Sequence, residues 1–223
     1  MAYNFNGTSH YMFASVDGSF PSTPITSLPF TMSCWFRTPS APRSTSRVLL
    51  EIGSSGSSGY RLVIPANQTF IRANHFVSGT AQTADTATNS IVANTWIHCA
   101  GVFSSNSSRS VFISTASSAT NTQTISAANP SSFSIAVSTA FNVNYFDGDI
   151  ADIGVWNTAL DSNDIASLAK GISCTKVRPN SLVINVPLIR NTNVLFEKWS
   201  PELLPNYVQN VGATPSEHPR IYL

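Results

Sequence analysis

Apolar and polar residues alternate with a period of two along most of the chain. From Phe30 to Arg37, Phe30, Met32, Cys34 and Phe36 fall on one side and Thr31, Ser33, Trp35 and Arg37 on the other, which predicts a half-buried strand. Arg47–Gly53 and Tyr60–Pro65 flank a Gly/Ser run over residues 54–59 and predict a hairpin. Gln68–Phe76, Thr95–Phe103, Ser110–Ser114, Ser132–Val137, Gly148–Trp156 and Leu182–Leu188 continue the series, separated by Ser, Asn, Gly and Pro clusters. Parallel strands would need helical crossovers between them, and no helical period intervenes. The pattern therefore predicts an all-β, antiparallel β-sandwich. One short helix is predicted from Asp161 to Lys170. Asp161 is its N-cap, Asp164 stands at the positive end of its dipole, Ile165, Leu168 and Ala169 form its apolar stripe, and Gly171 ends it. A helix of this length is expected to plug one edge of the sandwich.

Composition narrows the function classes. The 223 residues include only 12 Lys+Arg and 11 Asp+Glu, or 10% charged, against about 25% in an ordinary soluble domain. Ser, Thr and Asn make up about a third of the chain instead, as suits strands with one face in a core and one needing only small polar groups. A net charge of +1 without a basic run excludes an electrostatic footprint for nucleic acid. No apolar stretch approaches the roughly 20 residues of a membrane-spanning helix. Thirteen Phe, 6 Tyr and 4 Trp argue against disorder. Met1 to Gly7 has neither a positive start nor an apolar run, so no secretory signal is read there. Cys34, Cys99 and Cys174 show no C-x-x-C spacing, and the first two fall in strand-like runs as small buried hydrophobes.

The length suits one domain, over residues 1–190. Residues 191–223 differ in kind, with three of the four Glu, four Pro and little periodicity. They are expected to form an arm that packs on the sandwich or on a neighbouring subunit. Phe196, Trp199, Leu203 and Leu204, in a loop bounded by prolines, are its candidate docking residues.

Three blocks in order resemble the laminin G-like jelly rolls of the concanavalin A-like lectin/glucanase superfamily. Phe5-Asn6-Gly7 with Tyr11, then Phe30 to Arg37, is similar to the family's opening strands. Asn94 to Phe103, with Trp96 and His98, resembles its W-x-H-V-A strand. Gly148 to Leu160 resembles the block that precedes its short helix. Ser181 to Leu188 with Asn210 to Thr214 is similar to a segment that many members carry at the front. The ending His218-Pro219-Arg220-Ile221-Tyr222 resembles the close of jelly-roll proteins of tailed bacteriophages.

The resemblance implies a concanavalin A-like jelly roll and three chemistries to weigh. Glucanases of the superfamily place paired carboxylates on one strand. Here Glu51 is the only Glu before residue 197 and has no acidic residue two or four positions away. A non-enzymatic protein is expected. Related jelly rolls often bind Ca²⁺, which makes Asp147, Asp149 and Asp152 candidate ligands. Ala151 and Asn6 replace two of the family's carboxylates, however, and ligand charge sets calcium affinity. The alternative is a turn at Asp147-Gly148 beside a solvated Asp149. For a sugar, Trp35, His75, Phe76 and Tyr145 are the candidate contacts. Trp35, on the polar side of its strand, is either a platform or covered by the arm.

The expected function is a virion structural protein of a tailed bacteriophage, decorating the capsid or belonging to a tail or fibre. It would sit at the virion surface after synthesis in the host cytoplasm. Its expected partners are other virion proteins, further copies of itself and a glycan. A free bacterial carbohydrate-binding lectin module is the alternative.

Overall fold

The structure, a computed structural model, describes residues 2–16, 25, 27–54, 57–114, 117–138, 143–187, 194–195 and 206–216. In chain order the first strands are β1 (Ala2–Asn6), β2 (Tyr11–Val16), β3 (Phe30–Arg37), β4 (Arg47–Ser54), β5 (Ser58–Ile64) and β6 (Arg72–Val77). Next come β7 (Thr80–Asp85), β8 (Ile97–Ser105), β9 (Ser108–Ile113), β10 (Ser117–Asn121), β11 (Ser132–Ile135) and β12 (Asp147–Trp156). Helix α1 (Ser162–Ala169) precedes β13 (Leu182–Val186), β14 (Val194–Leu195), β15 (Asn206–Val211) and β16 (Thr214–Ser216).

The strands form two antiparallel sheets. The first runs β10-β9-β8-β3-β12-β1-β16, with β13 also beside β12; the second runs β14-β15-β2-β11-β4-β5-β6-β7. Their inner faces meet in an aromatic core. Phe30 stacks on Phe103 at 5.0 Å, and the Tyr60 ring meets both edge-on at 4.9 and 5.1 Å. The fold is the sandwich that the alternation predicts. Cys34 and Cys99, paired across β3 and β8, are buried free thiols.

Two features place the functional surface. Trp156 and Asp149 are seven residues apart on β12 and would face opposite ways in a regular strand. A bulge between Ala151 and Gly154, where Asp152 takes φ +47°, adds one residue and returns both to the outer face of the first sheet. That face is then divided. One end is covered by α1, whose Ile165 and Leu168 pack with Ala100, Val102, Trp156 and Leu182. The helix thus lies on a sheet face rather than plugging an edge, because its apolar stripe finds Trp156 there. Asp161 caps it as expected, accepting from the Asn163 and Asp164 amides while the Asp164 carboxylate accepts from the Asp161 amide. The other end of the face carries polar rows.

Residues of the C-terminal segment join both sheets. Asn206–Val211 pairs with β2, and Thr214–Ser216 pairs with β1. Phe196, Trp199, Leu203 and Leu204 lie outside the described residues.

Candidate functional site

Cross-strand register builds a polar wall where β1, β12 and β3 meet. Asn4 lies opposite Asp149, which lies opposite Arg37, and Asn6 lies opposite Asp147. Alternation sends Tyr3, Phe5, Phe36 and Ile150 into the core, so their polar neighbours must point outward. Gly148, between the two aspartates, has φ +126°, and a Cβ there would stand 2.1 Å from the Arg37 carbonyl oxygen. Only glycine allows β12 to approach β3 so closely.

The two aspartates are bound to arginine. Arg37 donates from Nε (2.9 Å) and Nη2 (2.7 Å) to Asp149 Oδ2, and Asn4 Nδ2 donates to Asp149 Oδ1 at 3.1 Å. Arg43 Nη2 lies 2.5 Å from Asp147 Oδ2, and Arg47 Nη1 lies 3.3 Å from Asp147 Oδ1. Arg47 also donates to Thr38 Oγ1 and to the Ser40 carbonyl, both at 2.7 Å. Burial pulls the Arg47 pKa down, and the Asp147 charge opposes that pull. Asn6 closes the neighbouring turn, its Oδ1 accepting from the Thr8, Ser9 and His10 amides at 2.9–3.0 Å. Arg37, Arg43, Asp147 and Asp149, with Asn4, Asn6, Pro39 and Asn94, line an open pocket of about 460 Å³, within the range of roughly 300–1,000 Å³ common for small-molecule sites.

The predicted site residues fare unevenly. Asp147 and Asp149 do line the pocket, as ion-paired members of β12. They form neither a loop cage nor the turn with a solvated carboxylate offered as its alternative; both residues are only 6% exposed. Guanidinium groups hold the places a cation would need, so the set does not suit Ca²⁺. Asp152 is the bulge residue, and among the described residues no three acidic, His or Cys side chains converge as a metal cluster.

The sugar candidates lie elsewhere. His75 is fully buried in β6, opposite Tyr60, with the two rings 4.3 Å apart. It is a core residue because its strand partner is one. Burial, with the Arg109 charge, lowers its pKa to about 4. Phe76 faces outward, but the Arg61 guanidinium sits 3.9 Å above its ring. Trp35 is half-buried, tilted against His98 at 5.5 Å, and Tyr145 rests 6.1 Å from Tyr11. None of the four lines the pocket. Sequence reasoning missed Arg43 and Asn94 as site residues, since both lie in connections without periodicity; Arg37 was legible as an outward residue but not as a wall.

Comparisons place the fold among known proteins. A candidate carbohydrate binding protein from Bacteroides ovatus aligns with 96% of this chain at TM-score 0.66 and 15% identity, and the chain spans 58% of that protein's length. The CBM40 of Ruminococcus gnavus IT-sialidase, solved with α2,3-sialyllactose, aligns with 65% of this chain at TM-score 0.52 and 14% identity, over 84% of its own length. The enzymatically active domain of bacteriophage CBA120 tailspike protein 2 aligns with 74% of this chain at TM-score 0.55 and 17% identity, over 27% of its own length. At these identities the likeness shows a shared fold. No curated protein sequence matches significantly. A laminin G-like family model does match, over residues 7–166, and the chain belongs to the concanavalin A-like lectin/glucanases superfamily.

Proposed function

We propose that this protein is a non-enzymatic saccharide-binding jelly roll that serves at the surface of a tailed-bacteriophage virion, in capsid decoration or in a tail or fibre. The pocket on β1, β3 and β12 carries the reading. Its guanidinium, carboxylate and amide groups offer fixed donors and acceptors of the kind that read sugar hydroxyls. The four charged groups that line it are held by ion pairs, which lowers the ordering cost of binding. Sugar recognition also fits two structural neighbours, the Bacteroides ovatus candidate carbohydrate binding protein and the CBM40 solved with sialyllactose.

Among the described residues, the ion pairing of six carboxylates supports a non-catalytic role. Glycoside hydrolysis needs two carboxyl groups facing one bond. Glu51, Asp85, Asp147, Asp149, Asp161 and Asp164 each have an arginine partner instead. The virion role rests on the bacteriophage-like ending of the sequence and on the tailspike neighbour. The segment with Phe196, Trp199, Leu203 and Leu204 would provide the contact to a neighbouring virion protein or second copy. The free lectin module remains the second reading, favoured by the bacterial neighbours.

Titration of the purified protein against a panel of saccharides tests the binding half. Saturable binding that Asn94→Ala weakens at least tenfold is expected; a silent panel overturns it. Probing purified phage particles for the protein tests the other half, and its absence from them leaves the free module.

A further inference from the structure

The charge count of the pocket points to the class of sugar, an inference that rests on the saccharide-binding reading above. We propose that the pocket takes a carboxylated sugar, a uronic or sialic acid, whose carboxylate pairs with Arg43.

Among the described residues, three guanidinium groups meet two carboxylates here. Asp149 is matched by Arg37 alone, with Asn4 completing its second oxygen. Asp147 is shared, with Arg43 on Oδ2 and Arg47 on Oδ1. One positive charge is therefore in excess. Arg47 is sealed behind the wall with its side chain 2% exposed, and its other recorded bonds go to the neutral Thr38 hydroxyl and Ser40 carbonyl. A desolvated guanidinium has the greater need of the carboxylate. The excess charge thus falls to Arg43, which lines the pocket with its side chain 46% exposed.

Arg43 is also positioned. Its Nε donates to Ser40 Oγ at 3.0 Å, which fixes the plane of the guanidinium. A ligand carboxylate has the planar fork that such a group binds in two parallel hydrogen bonds. Its arrival would bring three anions to three cations and release Asp147 to Arg47. A neutral sugar would leave the imbalance in place. The ring hydroxyls would then fall to Asn4, Asn94 and Asp149, which line the same pocket. Asn94 is held there by its backbone amide, which donates to the Thr38 carbonyl at 2.8 Å.

The test is calorimetric titration of the full chain with methyl β-glucuronide, N-acetylneuraminic acid, methyl β-glucoside and sodium acetate. At least one acidic sugar is expected to bind ten or more times tighter than the glucoside and the acetate. Arg43→Gln should abolish that preference, and raising the salt from 50 to 500 mM should weaken the acidic sugar and not the glucoside. Equal binding of glucoside and acidic sugars, or a preference that survives Arg43→Gln, overturns this inference and leaves saccharide binding standing. Acetate binding as tight as the acidic sugar shows a bare anion site and overturns it as well. Binding of none of the four overturns the inference together with the reading beneath it. A melting temperature for Arg43→Gln within a few degrees of the parent excludes unfolding as the cause of a loss.

Discussion

Replacing Asp147 by Asn tests the physical account of the pocket wall without any ligand. The substitution keeps the size of the side chain and removes its charge, which strands Arg47 with its side chain 2% exposed. Removing one partner of a buried ion pair costs about 3–5 kcal/mol, because the remaining charge is neither hydrated nor neutralised. Two neutral acceptors at 2.7 Å, Thr38 Oγ1 and the Ser40 carbonyl, stay with Arg47 and hold the cost towards the lower end. At roughly 2–4 °C per kcal/mol for a domain of this size, the expected fall in melting temperature is about 6–20 °C. Arg43, on the same carboxylate, has its side chain 46% exposed, so Arg43→Gln should cost no more than about 1 kcal/mol. The double variant Asp147→Asn with Arg47→Met should be more stable than Asp147→Asn alone, since it removes the stranded charge. Differential scanning calorimetry of the parent and three variants decides the matter. An Asp147→Asn protein melting within about 3 °C of the parent, a change of roughly 1 kcal/mol, would refute the claim that this pair holds the wall.

Three further outcomes follow from the same structure. His98 is fully buried beside Ser33 Oγ, 2.7 Å from Nε2, and burial lowers its pKa from 6.5 to about 3. The unfolded chain therefore binds the proton first, and stability should fall as pH drops from about 6.5 towards 3, with His98 contributing up to about 1.4 kcal/mol per pH unit; urea midpoints across that window should show the slope, and His98→Gln should reduce it to the part left by groups such as His75, whose pKa is lowered to about 4. Gly148→Ala would place a methyl group 2.1 Å from the Arg37 carbonyl at φ +126°, so it should cost more than about 4 kcal/mol or abolish soluble folding, as read by yield and thermal melting. Asp161→Ala removes the helix cap and its bond to Arg178; a loss of about 1 kcal/mol is expected in chemical denaturation, with the β-sheet circular dichroism unchanged.

The interior of the sandwich was legible because its strands sit between others. The strand at Phe30–Arg37 and the hairpin of Arg47–Ser54 with Ser58–Ile64 were legible from their patterns, although the strand expected to be half-buried is buried on its polar side too, at Thr31 and Ser33. Edge strands escaped that logic. Thr80–Asp85 reads TAQTAD and buries one residue of six, so its strand character comes from pairing with β6 and leaves no apolar mark. Asn206–Val211 and Thr214–Ser216, in a segment read as an arm without period, became strands in the same way, by adding to β2 and β1.

What the sequence determined alone was the class of fold, the capped helix at Asp161 and the scarcity of charge. Each is a local property, carried by residues one to four positions apart. Tertiary structure decided where the charge is used. Asn4, Arg37, Arg43, Arg47, Asp147 and Asp149 are separated by as many as 145 residues; register across β1, β12 and β3, with the β3–β4 connection that carries Arg43 and leads to Arg47, brings them to one wall. In the other sheet, pairing of β5 with β6 turned His75 inward against Tyr60 and set Arg61 over Phe76, taking two apparent sugar contacts out of use. Composition could count the few charges; it took the sheets to show that, among the described residues, most of them are spent on one another.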